Sequence, residues 1–360
     1  MRPIKLNIIF FLLLLPFLSF ANERKGSVQK EKTLHKIYQV SSSGTVFIDN
    51  SYGNINISTW QKNLVEISVN ISVDGNSDDI VNKQLEYIDV TFSQNGSQVK
   101  ALTNINSIKN SWSIWSLFGN SSKSVNFKIN YEVKMPINHN LKISNDYGNI
   151  SIDELNGNLD LNADYGRFNF GNLNGKRNNI VVDYFSTSSI DFVNKADIRA
   201  DYSRINIGSA YALDMACDYS TIKIDKVRRL KFSNDYGSIS VKNSTNIKGE
   251  GDYQRRFFGN VNNLQFEGDY GSVTVDNISA NFEKINLICD YVTIKIKNPQ
   301  QVPYRFMMNQ DYGCFKNENL YIRKNIQDGG EKHIEGYYKN ENAQSVIKIV
   351  EDYGCVKIYN

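Results

Sequence analysis

Eleven times the chain sets an Asp directly before a Tyr, at Tyr147, Tyr165, Tyr184, Tyr202, Tyr219, Tyr236, Tyr253, Tyr270, Tyr291, Tyr312 and Tyr353; a further tyrosine, Tyr52, follows Ser51. A recurring carboxylate beside a phenol could hold a row of cations or a polymeric ligand. Calcium takes roughly six to eight clustered oxygens, however, and one Asp per repeat is a thin supply. The simpler role is local: each Asp accepts a backbone N–H two residues on and secures a turn. Carboxylates stacked about 5 Å apart repel by roughly 3 kcal/mol per neighbouring pair at an effective dielectric near 20. The column must therefore face water or be satisfied nearby.

The repeat at Tyr253 departs from the others. Arg255 and Arg256 replace the usual Ser and Ile, while Gly249 and Gly251 remove inward bulk. Coils that cleave acidic polysaccharides combine clustered acids with an Arg base, so Arg255 and Arg256 are candidate glycan-binding residues. Breaks in a pattern are where function concentrates; a frayed coil is the plainer explanation. In "SWSIWSLFGN", Trp112, Trp115 and Phe118 could meet a partner, a glycan or a membrane surface, or fold onto a core. His35, His139 and His333 fall in no metal-binding spacing, and no nucleophile elbow, phosphate-binding Gly loop or Cys-x-x-Cys occurs. No catalytic residue, metal or cofactor is expected, and the chain reads as a non-enzyme.

The elements that position these residues follow from the spacing. From Tyr147 to Tyr312 the intervals are 18, 19, 18, 17, 17, 17, 17, 21 and 21 residues. Counting from each Tyr, positions −6 and −4 and positions +3 and +5 are apolar in most copies, as in Leu159/Leu161 with Phe168/Phe170 and Leu213/Met215 with Ile222/Ile224. A period of two means strand. Each repeat is then two short strands meeting at the Asp-Tyr corner. So small a unit cannot bury its own apolar face, and stacking solves this. The expected fold is all-β: a single-chain β-solenoid (β-helix) of about 17–21-residue coils, right-handed by analogy with other single-chain β-helices, in a rod on the order of 50 Å long.

Phase places the corner residues Asp146, Tyr147, Asp164, Tyr165, Asp235, Tyr236, Asp269 and Tyr270. Position −2, often small, shares the inward face with −6 and −4, and the Tyr continues that phase. The ring is expected inside the bend and the Asp outside. Phe185, Ser203, Ser220, Gln254 and Val292 stand where other copies have Gly, so that Gly reads as dispensable. On this reading Tyr236→Ala costs roughly 3–5 kcal/mol as a core truncation, and Gly237→Ser little.

The ends differ from the coils. Arg2, Lys5, the apolar run "LNIIFFLLLLPFLSF" and the small residues before Asn22 form a secretory signal. Without Arg2 and Lys5 the balance is 39 Lys+Arg to 38 Asp+Glu, which argues against nucleic acid and against electrostatic membrane attachment. No later stretch could span a membrane as a helix. The expected organisation is a signal peptide over 1–21, a flexible segment over 22–36 and a β-rich N-terminal cap over 37–136. That cap holds the first repeat, a short helix in "DDIVNKQLEYI" and a hairpin at Asn95-Gly96. Coils follow over 137–318, then over 319–360 a hairpin turning at Asp328-Gly329-Gly330, as an excursion or a degenerate coil, and a closing coil. Cys217 and Cys289 lie too far apart along the rod to pair. If the C-terminal excursion returns beside its departure point, Cys314 and Cys355 fall in adjacent coils within bridging range.

"GTVFIDNSYGNINISTW", "INYEVKMP" before "NLKISNDYGNISI", the Asp-Tyr-Gly coils and the closing "IVEDYGCVKIY" together resemble the bacterial "toastrack" family of putative adhesins. The likeness covers nearly the whole chain after the signal. It implies a non-catalytic β-solenoid, exported in many members, and supplies no functional residues. The Asp-Tyr of nearly every coil is stricter than that family's glycine corner. The expected function is an exported adhesin or cell-envelope scaffold, in the periplasm or on the surface of a bacterium, with an envelope protein or surface glycan as partner. The alternatives are a glycan-binding or glycan-processing β-helix and, by family association, an envelope-stress signalling partner.

Overall fold

The structure, a computed structural model, describes residues 27–106 and 125–360. The signal peptide expected over 1–21 and the loop residues Trp112, Trp115 and Phe118 lie outside them. Among the described residues no helix is long and apolar enough to cross a membrane.

The period-two segments are strands, and among the described residues 24 strands join one open sheet. Equivalent strands of successive repeats pair in parallel, the arrangement of a β-solenoid. Leu141 lies beside Leu159, Ile143 beside Leu161, Ile150 beside Phe168 and Ile152 beside Phe170. The same register sets Leu213 beside Leu230 and Met215 beside Phe232. Inward residues therefore stack in columns, and both halves of each coil supply one continuous core. Leu155, Leu173, Val227, Val261 and Ile278, eight residues after their Tyr, are buried and close each coil on its far side.

Stacking order departs from chain order at both ends. The strand Lys284–Asp290 pairs with Val346–Asp352, which pairs in turn with Tyr304–Asp311. The last coil thus slips between the two that precede it. Between them the chain makes an antiparallel hairpin, Tyr321–Asp328 with Glu331–Tyr338, which lies along Tyr304–Asp311 and covers the exposed sheet edge. Cys314 and Cys355 sit side by side in register and are joined by a disulfide, with Cα atoms 4.5 Å apart. Reduction is expected to cost about 2 kcal/mol and to act locally. Hydrogen exchange should quicken over 314–355 while the coils from Tyr165 to Tyr253 keep their protection; uniform loss of protection along the rod would contradict this.

At the N-terminal end, Thr45–Ser51 pairs with both Gln98–Ile105 and Asn140–Leu155. The first repeat is thereby sandwiched before the regular coils begin. The helix Asp78–Tyr87 buries Val81, and its Asp78 and Asp79 suit the positive N-terminal dipole. Gly96 turns the hairpin of Ile88–Asn95 and Gln98–Ile105 at φ 57°. The segment expected to be flexible over 22–36 is corrected in part. Val28–Gln39 is a strand, antiparallel to Leu64–Gly75. Its many charges hid it. They sit on an edge strand held by backbone bonds, where Lys and Glu guard against further pairing.

Candidate functional site

Every corner tyrosine is left-handed. The twelve, Tyr52 to Tyr353, have φ between 48° and 61°. This conformation costs a non-glycine residue about 1–2 kcal/mol, and it inverts the expected placement. Positions −2 and +1 point inward, as buried Val182 and Phe185 show, while Asp and Tyr both lie outside. From Tyr147 onward the rings are 41% to 69% exposed. The tyrosines are not core residues; a left-handed residue breaks the alternation that the phase argument assumed to continue.

Exposed as they are, the rings are ordered. All twelve form one stack: neighbouring centroids are 4.6–5.5 Å apart and the planes agree within 3–9°. Offset stacking contributes about 0.5–1.5 kcal/mol per pair, comparable to the backbone strain. Phe127 meets Tyr52 edge-on at 5.3 Å and ends the stack, a role its sequence context does not signal. Ring faces are consumed by their neighbours. What the edge offers a partner is ring rims, hydroxyls and the adjoining carboxylates.

The Asp column is satisfied between coils rather than within each turn. Oδ1 of Asp183, Asp201, Asp218, Asp235, Asp252 and Asp269 each accepts the backbone N–H of the Asp in the next coil, at 2.7–3.3 Å. In return, each Tyr N–H from Tyr184 to Tyr291 donates to the carbonyl of the next coil's Asp at 2.7–3.1 Å. The expected turn bond two residues on is thus replaced by an inter-coil relay. Partial burial, then the neighbouring carboxylates, push the carboxyls of Asp164 and Asp290 above their ordinary value; burial and Asp49 do so at Asp146. Among the described residues no group of three His, Cys, Asp or Glu could hold a metal ion. Asp235→Asn keeps an acceptor for Asp252 and removes a repulsive charge, so its thermal midpoint should match or exceed that of the native chain. Asp235→Ala should cost about 1 kcal/mol. Equal losses for both would make charge, not the acceptor, the important property.

Beneath the edge, positions −2 and +1 share one space. Asn50, Asn145, Asn234, Gln310 and Glu351 at −2 each accompany a Gly at +1; Ala200 and Cys217 accompany Ser203 and Ser220. Gly268 and Gly271 carry no side chain at either position, and Arg256 of the neighbouring coil is buried. Arg256 is 1% exposed, its guanidinium lies 4.3 Å over the Phe266 ring, and its Nη2 donates to the Gly251 carbonyl. Burial lowers its pKa to about 10. Arg256 therefore packs inside the rod and cannot serve as a surface base, which corrects its candidacy. Arg255, next to it, is exposed. The structure does not bring the two together into one site. Cys217 and Cys289 are buried free thiols.

No family model matches the chain, and no curated protein does. Solved structures do. A protein described as a putative adhesin from Parabacteroides merdae is 10% identical, with a TM-score of 0.34, over 91% of this chain and 97% of its own. One so described from Parabacteroides distasonis gives 10% and 0.32 over the same shares. A putative cell adhesion protein from Clostridium sporogenes gives 10% and 0.19, over 92% of this chain and 99% of its own.

Proposed function

We propose that the chain is a non-catalytic, exported β-solenoid of right-handed coils that works by contact, as an adhesin or envelope scaffold presenting its Asp-Tyr edge. The observation that carries this reading is the cost of the edge. Gly or Asn at the corner would reach the same φ with little strain, so the fold alone does not call for Tyr. Twelve strained tyrosines in one exposed stack are an ordered surface that the core does not require. The solved structures of similar fold are named for adhesion; the reading shares that term without resting on it.

The test is binding of the purified chain to a glycan array and to immobilised bacterial envelope, against the triple variant Asp235→Asn, Asp252→Asn, Asp269→Asn. These changes keep the inter-coil acceptors and the tyrosines. Binding should fall about tenfold with the fold intact. Undiminished binding, or none by the native chain, overturns the reading. The glycan alternative keeps only Arg255, exposed beside the same edge; loss of glycan binding in Arg255→Ala with the triple variant unaffected would favour it.

A further inference from the structure

We propose that the tyrosine stack is a site of oxidative modification, at which a one-electron oxidant couples neighbouring rings into dityrosine and so staples adjacent coils. The inference is independent of adhesion and rests on three features. The rings are accessible, about half-exposed along the stack. They are also paired in advance: Tyr219, Tyr236, Tyr253 and Tyr270 follow one another at 4.9, 4.9 and 4.6 Å with planes within 6°. Holding two reactants in contact converts a rare bimolecular encounter into an intramolecular one. Finally, the rings are alike. An oxidising equivalent placed on any of them finds the same chemistry next door, so two that enter one stack are confined to one line and meet there.

The chemistry balances with a haem peroxidase and hydrogen peroxide as oxidant. Each of two phenols loses one electron to the peroxidase and its hydroxyl proton to water. The two phenoxyl radicals join through the ring carbons ortho to oxygen. The hydrogen on each of those carbons then moves to oxygen and restores the phenol. Two tyrosines and one peroxide yield one dityrosine and two waters.

Other tyrosines provide the contrast. Outside the stack Tyr211 is 36%, Tyr359 38% and Tyr321 60% exposed, and Tyr321 has a single ring beside it, Tyr337 at 4.9 Å and tilted by 33°. Arg228 and Arg229 lie over the Tyr211 ring at 5.2 and 5.1 Å and disfavour loss of an electron there. The experiment treats the folded full chain with peroxidase and hydrogen peroxide, reads dityrosine fluorescence in the monomer fraction and maps cross-linked peptides by mass spectrometry. Expected are links between stack neighbours, Tyr236 to Tyr219 or Tyr253 among them, at about tenfold the yield of the chain unfolded in urea. Tyr236→Phe keeps a ring in the stack but removes the phenol; it should abolish the links at 236 and leave the others. Links that form only between molecules, that centre on Tyr211, Tyr359 or the Tyr321–Tyr337 pair, or that form no faster in the folded chain overturn the proposal. So does a Tyr236→Phe pattern that loses no link.

Discussion

Gly237→Ser is expected to destabilise the rod by about 3 kcal/mol or more, and Tyr236→Ala by about 2 kcal/mol, the loss of two stacking contacts. This order reverses what residue types alone suggest. A Cβ on Gly237 would stand 2.2 Å from the Ser220 carbonyl oxygen of the coil below. That atom is backbone, so a Cβ there requires the corner itself to shift, as it must where Ser203 and Ser220 hold the same position beside small Ala200 and Cys217. Asn234 already occupies the inward space, its Nδ2 donating to the Cys217 carbonyl. Two coils away, Ala200 and Ser203 solve the same corner the other way round, the Ser203 hydroxyl donating to the Asp201 carbonyl at 2.7 Å. The double change Asn234→Ala, Gly237→Ser rebuilds that arrangement and should recover at least half of the loss. Chemical denaturation of the four proteins in the cycle measures the coupling. A double variant as unstable as the sum of the singles would mean that the two positions do not share their space. Gly96→Ala separates sterics from backbone preference: nothing lies within 4 Å of its Cβ, and φ is 57°. It should cost only about 1 kcal/mol.

The second large effect is expected from pH. Glu351 is fully buried in the coil inserted between Tyr291 and Tyr312. Its carboxylate accepts from the Gly354 N–H at 2.9 Å, the Val292 N–H at 3.2 Å and Gln310 Nε2 at 3.3 Å. Burial outweighs these bonds and pushes its pKa up to about 7 from an ordinary 4.5. A raised carboxyl pKa means the folded state holds the proton more tightly than the unfolded one. Its stabilisation is complete below the ordinary value and is lost as pH rises through about 7. The loss amounts to about 3 kcal/mol between pH 4.5 and pH 8. His139 acts in the opposite direction. Buried and held below its ordinary pKa, it opposes folding as acid protonates the unfolded chain. Comparison with Glu351→Gln isolates the carboxyl. The Gln variant should be more stable than the native chain at pH 8, and the gap should close toward pH 5. A gap that stays constant with pH would remove Glu351 as its source.

Much of the architecture was legible in the sequence. Periodicity two on either side of a recurring Asp-Tyr, with spacing near 17 residues, was enough for stacked short strands. The C-terminal hairpin was legible too, from its Asp-Gly-Gly turn, but that it is an excursion and not a degenerate coil was decided by the pairing of Val346–Asp352 with Tyr304–Asp311. The strand Val28–Gln39 was hidden because an edge strand held by backbone bonds needs no apolar face of its own.

The corner is where sequence reasoning stopped, and the reason is conformational. Inward positions −2 and +3 are five residues apart, so one irregular step must fall between them. Alternation alone allows that step on either side of the Tyr. A left-handed φ at the Tyr decides it, and no residue type announces that choice when the residue is an aromatic rather than Gly or Asn. By itself the sequence determined that the chain stacks repeats, where each begins, and that acid and phenol recur once per coil. Only the tertiary structure decided that the phenols face water, that each carboxylate serves the next coil, and that Arg256 lies inside. Those outcomes depend on the neighbouring coil: it supplies the ring to stack on, the N–H to accept and the Phe266 ring over which Arg256 lies.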